Sequence, residues 1–283
     1  MATINWFPGH MKKTKREIED NLKLVDAVIE IRDARIPRSS ANPDIDKLCA
    51  GKPRLILLNK SDLTEAKATK DWINELSSET VKVLEVNCLK GQGLQQIKPA
   101  LLELLKEKHE RAKAKGLVNV VIRVMVVGIP NVGKSTFINK MAKNNIAKTG
   151  DRPGVTKSKQ WIKTPLGIEM LDTPGVLWPK FEDQLVGLKL ALTGAIKDDL
   201  LPMDEVTIFG LNYFLKNYRT VTMKRYKMTE EDLELEIPDL IMELTARFGF
   251  RDDYDRFYNM FVKDVRDGKL GLFCLDEVGV DGL

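Results

Sequence analysis

Two stretches of this sequence carry residue types that hold phosphate. Gly128-Ile129-Pro130-Asn131-Val132-Gly133-Lys134-Ser135 has the spacing G-x-x-x-x-G-K-[ST]; it follows the apolar run Arg123 to Val127 and precedes the helical pattern Thr136 to Ala142. The glycines let backbone N–H groups turn inward around an anion, and the following helix presents its positive end to it. In such a loop Lys134 reaches the outer phosphates of a nucleotide and the Ser135 hydroxyl takes Mg²⁺. Asp172-Thr173-Pro174-Gly175 follows a second apolar run, Ile168 to Leu171. A carboxylate at that strand end supports the same Mg²⁺ through water, and Gly175 offers its N–H to the γ-phosphate. Between the two lies Arg152-Pro153-Gly154-Val155-Thr156. Thr156 is the candidate switch threonine, whose hydroxyl closes on Mg²⁺ when the γ-phosphate is present.

A third stretch selects a base. Asn59-Lys60-Ser61-Asp62 follows the apolar run Leu55 to Leu58. The Asp62 carboxylate can accept from the ring N–H and exocyclic amine of guanine together. Adenine presents an acceptor there and leaves the carboxylate unmet, which disfavours an ATPase by up to ~10⁴–10⁵. Asn87-Cys88-Leu89-Lys90-Gly91 follows the next strand pattern and occupies the place of a loop whose backbone meets the guanine carbonyl. The candidate nucleotide-binding set is therefore Asn59, Lys60, Ser61, Asp62, Asn87, Cys88, Asn131, Val132, Gly133, Lys134, Ser135, Thr136 and Gly175. Ser135, Thr156 and Asp172 are the candidate Mg²⁺ ligands.

These loops need strands to end at one edge. Strand patterns run over Val25 to Ile31, Arg54 to Leu58, Val81 to Val86, Val120 to Val127 and Ile168 to Leu171. Helical periodicity appears at 64–77 and 94–108, and the charged stretch Lys106 to Gly116 reads as a helix end running into a linker. Strands alternating with helices imply crossover units and a mostly parallel sheet. From Trp178 onward helix signals take over. Leu185, Leu188, Leu192 and Ala195 share a face; Pro238 opens a helix with Leu240, Leu244 and Phe248; Phe257, Phe261 and Val265 repeat the pattern. The expected architecture is an α/β nucleotide-binding domain over 1–178 and an all-α domain over 179–283.

Composition narrows the class. The chain has 283 residues, 43% apolar and 30% charged, which suits a globular protein of about two domains. No apolar run approaches the ~18–20 residues of a membrane span. Met11-Lys12-Lys13 leads into charge, not into the apolar core of a signal peptide, so a cytoplasmic protein is expected. Three cysteines without a C-x-x-C pair and two histidines argue against a zinc site or a disulfide scaffold. The net charge of +4 is unevenly spread: residues 228–283 hold 6 Lys and Arg against 15 Asp and Glu. Basic side chains crowd residues 140–163 and 216–227, the footprint expected for RNA or another polyanion.

The order of the motifs is unusual. In a Ras-like chain the phosphate loop comes first and N-K-x-D late; here Asn59 to Asp62 precedes Gly128 to Ser135 and Asp172 to Gly175. In this order the chain resembles the circularly permuted GTPases of the TRAFAC class. With Trp6-Phe7-Pro8-Gly9-His10-Met11 and a helical C-terminal domain it resembles the ribosome biogenesis GTPase A (YlqF-type) family in particular. That resemblance implies a circularly permuted P-loop GTPase domain, its sheet flanked by helices, followed by an all-α domain. It implies hydrolysis of GTP to GDP at a late step of assembly of the large (50S) ribosomal subunit, with contacts to 23S rRNA and ribosomal proteins. Absence of a presequence before the W-F-P-G-H-M motif suits a bacterial member; a monomer without membrane contact is expected. Val176 stands where Ras-like enzymes carry the water-orienting Gln, so a slow intrinsic rate, stimulated by the subunit, is expected. Asn131 resembles the asparagine that supports K⁺ in cation-dependent GTPases, and Lys134, Thr156 and His10 are the candidate catalytic residues. The alternative is a GTP-gated binding protein acting on a non-ribosomal RNA or a membrane partner.

Overall fold

Apolar β-branched runs bounded by turn residues become the centre of a six-stranded sheet. The computed structural model describes residues 11–117, 121–143, 161–173 and 183–279. These form two compact units: the described residues before 174 together with 274–279, and residues 183–273.

In the first unit the order is α1 (Met11–Leu22), β1 (Ala27–Asp33), α2 (Pro43–Leu48), β2 (Arg54–Asn59), α3 (Ala66–Leu76), β3 (Val81–Glu85), α4 (Ile97–Leu104), α5 (Lys106–Ala114), β4 (Ile122–Val127), α6 (Lys134–Ala142), β5 (Trp161–Lys163) and β6 (Ile168–Asp172). The sheet order is β3-β2-β1-β4-β6-β5. Five strands run parallel, and β5 pairs antiparallel with β6, Ile162 opposite Met170. Ala27 to Ile31 and Leu55 to Leu58 are buried throughout, polar Glu30 included, as strands covered on both faces require. Helix α3 buries Trp72 against Ala34, Ile56, Leu58 and Val83. All five expected strands form, shifted by one or two residues. Strand β5 was not expected, because three residues carry too little periodicity to register. The 106–116 stretch also differs from expectation: α5 is a helix of its own, set off from α4 at Leu105.

The second unit contains α7 (Gln184–Thr193), α8 (Met203–Asn217), α9 (Arg219–Tyr226), α10 (Ile237–Arg247) and α11 (Tyr254–Arg266). Pro238 lies in the first turn of α10, where its missing N–H costs nothing. Phe257, Phe261 and Val265 are buried as their spacing predicts. Phe261 meets Phe214 edge-on at 6.4 Å and Tyr226 at 5.9 Å. Helix α7 keeps only part of its expected face: Leu192 and, beyond its end, Ala195 are buried, but Leu185 is exposed and Gly187, Leu190 and Ala191 are buried as well. The helix is apolar almost all round, so its periodicity does not choose a face.

Candidate functional site

Parallel strands deliver their C-terminal ends to one edge, and each expected loop starts there. Asp33 pairs with Asn59 in register across β1 and β2, and Val126 with Asp172 across β4 and β6. The phosphate loop leaves β4, which lies beside β1 where the chain's direction of strand addition reverses. In open α/β sheets that crevice is where ligands bind.

The phosphate loop has the backbone its glycines allow. Gly128 has φ +149 and Gly133 φ +104. A Cβ on Gly128 would stand 2.5 Å from the Ile31 carbonyl, and one on Gly133 would stand 2.3 Å from the Asn59 amide nitrogen. Asn131 is also left-handed, at φ 59. Helix α6 begins at Lys134 with no side-chain cap on its first N–H groups; Ser135 and Thr136 occupy that first turn, half-buried. The Lys134 ammonium donates to the Ile129 carbonyl at 2.6 Å. Burial pulls its pKa down to about 8, against the opposing charge of Asp172. Burial likewise pushes the Asp172 carboxyl up, with Lys134 and the Thr173 N–H resisting. The Thr173 hydroxyl donates to the Val126 carbonyl at 2.6 Å, fixing the chain as it leaves β6.

Asn59 joins the loops. Its amide donates to the Val132 carbonyl at 2.7 Å and accepts from the Cys88 N–H at 2.9 Å. One buried side chain thus ties the phosphate loop to the loop after β3. Asn87 closes that second loop by accepting from the Lys90 N–H at 2.9 Å. Cys88 is buried, and burial raises its thiol to about 12. The Lys90 ammonium lies 3.1 Å from the Asp62 carboxylate, which remains partly exposed beside Ser61. Lys60 is left-handed at φ 61, and its ammonium reaches the Asp33 carboxylate at 2.8 Å.

Asp33 and its partners were assigned no chemistry from the sequence. Burial alone would raise the Asp33 carboxyl, but Arg35 and Lys60 outweigh it and hold the group well below the usual carboxylate range. Arg35 grips Asp33 with two parallel bonds of 2.9 and 2.8 Å. The available signal was position: Arg32-Asp33-Ala34-Arg35 ends a central strand on the edge that holds the other loops. His10, Thr156, Gly175 and Val176 lie outside the described residues, so the structure brings Asn59 to Asp62, Asn87, Cys88, Asn131 to Thr136 and Asp172 to one edge without testing those four.

Basic residues 216–227 are only partly open to an anion. Arg225 lies 2.6 Å from the buried Asp264, and Arg219 pairs with Glu230. Lys216, Lys224 and Lys227 are exposed.

A family profile described as 50S ribosome-binding GTPase matches residues 123–236. The chain is 49% identical over 273 residues to ribosome biogenesis GTPase A of Bacillus licheniformis, covering 95% of this chain and 96% of that one. It is 47% identical over 278 residues to the protein of the same name from Bacillus pumilus, covering 95% and 96%. GNP-bound YlqF from T. maritima superposes with a TM-score of 0.62 at 25% identity, covering 94% of this chain and 98% of that one.

Proposed function

The chain belongs to the ribosome biogenesis GTPase A family and is a guanine-nucleotide-binding GTP hydrolase of ribosome biogenesis, and from that premise we propose that it binds the immature large (50S) subunit in its GTP form and leaves after hydrolysis. The observation that carries the nucleotide part of this reading is the Asn59 tie. A base loop and a phosphate loop fastened together through one amide hold a nucleotide at both ends. In this reading Asp62 accepts from guanine, and backbone groups of the 87–89 loop meet its carbonyl. Asn131 to Thr136 present N–H groups to the phosphates, as does Gly175.

Ser135 and Asp172 fit a Mg²⁺ ion, since a hydroxyl and a carboxylate are the hard oxygen donors it takes. Burial raises the Asp172 carboxyl, and a cation beside it would favour the charged form. Thr156 completes that set, and Asn131 supplies an oxygen for K⁺. Bound metal ions neutralise charge that develops on the phosphates. Lys134 adds its own charge at the same oxygens. His10 places the attacking water that no Gln orients.

The exposed Lys216, Lys224 and Lys227 offer phosphate contacts to 23S rRNA, which makes binding fall steeply with salt. Co-sedimentation with large-subunit precursors separates this reading from its alternative. Co-sedimentation with a non-hydrolysable GTP analogue, and its loss with GDP, is the expected result. Equal co-sedimentation in both nucleotides, or capture by unrelated RNA or vesicles instead, contradicts it.

A further inference from the structure

Beyond Phe273 the chain leaves the helical unit and returns to the nucleotide-binding one. Leu275 N–H donates to the Arg35 carbonyl at 2.8 Å. The Asp276 carboxylate accepts three bonds: Arg38 N–H at 2.9 Å, Ser39 N–H at 2.8 Å and the Ser39 hydroxyl at 2.7 Å. Cys274 packs against the cluster of Ala34, Ile56, Leu58, Trp72 and Val83. This short segment is therefore strapped over the turn that leaves β1.

The same turn carries Asp33. Asp33 N–H donates to the Ser40 hydroxyl at 3.1 Å, and that hydroxyl donates to the Ile36 carbonyl at 2.6 Å. Arg35 holds the Asp33 carboxylate, and the carboxylate holds Lys60 of the base loop. Asp276, Ser39, Ser40, Arg35 and Asp33 are all buried. Hydrogen bonds and two ion pairs thus run from Asp276 through the turn to the second residue of Asn59-Lys60-Ser61-Asp62. Two adjacent backbone N–H groups and a hydroxyl converge on Asp276; without it, the buried Ser39 N–H and the partly buried Arg38 N–H lose their acceptor, a penalty large enough to shift the turn.

We propose that Asp276 is a positioning residue for guanine recognition: through the 35–40 turn and Asp33 it sets the place of Lys60 and hence of the base loop. The proposal rests on the guanine assignment made above. Its consequence follows from chain order. The helical unit is bounded in sequence by Asp172-Thr173-Pro174-Gly175 on one side and by this strap on the other. Each half of the nucleotide site, phosphate and base, is therefore followed or held by a segment continuous with that unit.

The test is the affinity and release rate of a fluorescent GDP analogue on the full chain with Mg²⁺. Asp276→Ala should release it at least about 5-fold faster. Asp276→Asn should restore most of the loss: its amide oxygen can accept both N–H groups, and its amide nitrogen can donate to the Ser39 hydroxyl. Combined with Lys60→Ala, the Asp276→Ala effect should be non-additive, as one chain of contacts requires. Ser39→Ala removes a single donor and gives a smaller shift in the same direction; it decides the matter if Asp276→Ala does not fold. A release rate that neither Asp276→Ala nor Ser39→Ala changes overturns the proposal, and so does full additivity with Lys60→Ala. Failure of the parent chain to bind the GDP analogue would overturn the guanine assignment and the proposal together.

Discussion

Lys134 is the residue whose environment departs furthest from that of its free amino acid in a way a nucleotide would reverse. Burial lowers its pKa from 10.5 to about 8. A lysine depressed by folding weakens the nucleotide-free fold below about pH 8, and that cost fades as pH rises towards 10.5. Phosphate beside the ammonium restores the charged form. Nucleotide binding between pH 8 and 10 should therefore take up a proton. Calorimetry at pH 8.5 in two buffers of different ionisation heat reads this directly. The binding heat should differ between buffers for the parent and converge for Lys134→Met; identical heats for the parent would contradict the assignment. Lys134, Asp172 and Asp62 were legible in the sequence because motif spacing fixes their loops. The Asp33–Lys60 pair was not, because it depends on β1 and β2 being neighbours with Asp33 opposite Asn59. Asp276 was hidden further still, since nothing local to Leu275-Asp276-Glu277 says which turn it will meet.

Elements were readable where an apolar run or a helical period was strong. The five long strands and helices α10 and α11 fall where those runs, Pro238 and the Phe257-Phe261 stripe place them. Helix α7 was placed but its buried face only in part, because Leu185 and Leu190 are equally apolar and the partner helix decides between them. Close packing also turns on Gly210 of α8, which sequence alone reads as a weak point in a helix. A Cβ there would stand 2.5 Å from a ring carbon of the buried Phe261. Alanine improves helix propensity by ~1 kcal/mol, but overpacking a closed core costs about 1–3 kcal/mol. Gly210→Ala should therefore lower stability in urea unfolding, and a stabilised variant would contradict the packing described. The basic run 216–227 is a related lesson. Its charge was legible, but the pairing of Arg225 with Asp264 and Arg219 with Glu230 needed the fold.

At the scale of the molecule, permutation changes what the nucleotide site is connected to. An unpermuted chain continues from D-x-x-G into the next strand of the same sheet. Here β6 is the last strand among the described residues, and the chain passes in sequence from Asp172-Thr173-Pro174-Gly175 to α7, then returns at Cys274 to hold the turn after β1. Both segments that bound the helical unit in sequence are thus continuous with loops of the candidate nucleotide site, and that unit exposes Lys216, Lys224 and Lys227. The expected boundary at 178 falls outside the described residues, and the return of 274–279 to the first unit was not foreseen, because 179–283 was expected to be one helical domain. The central claim is that hydrolysis answers to the large subunit and not to a built-in Gln. GTP turnover should be measured in K⁺ buffer with and without large-subunit precursors, and repeated in Na⁺. Turnover should be slow alone and strongly stimulated by the particles, and that stimulation should be lost in Na⁺. Turnover that is fast alone, or unmoved by any large-subunit particle, would contradict it.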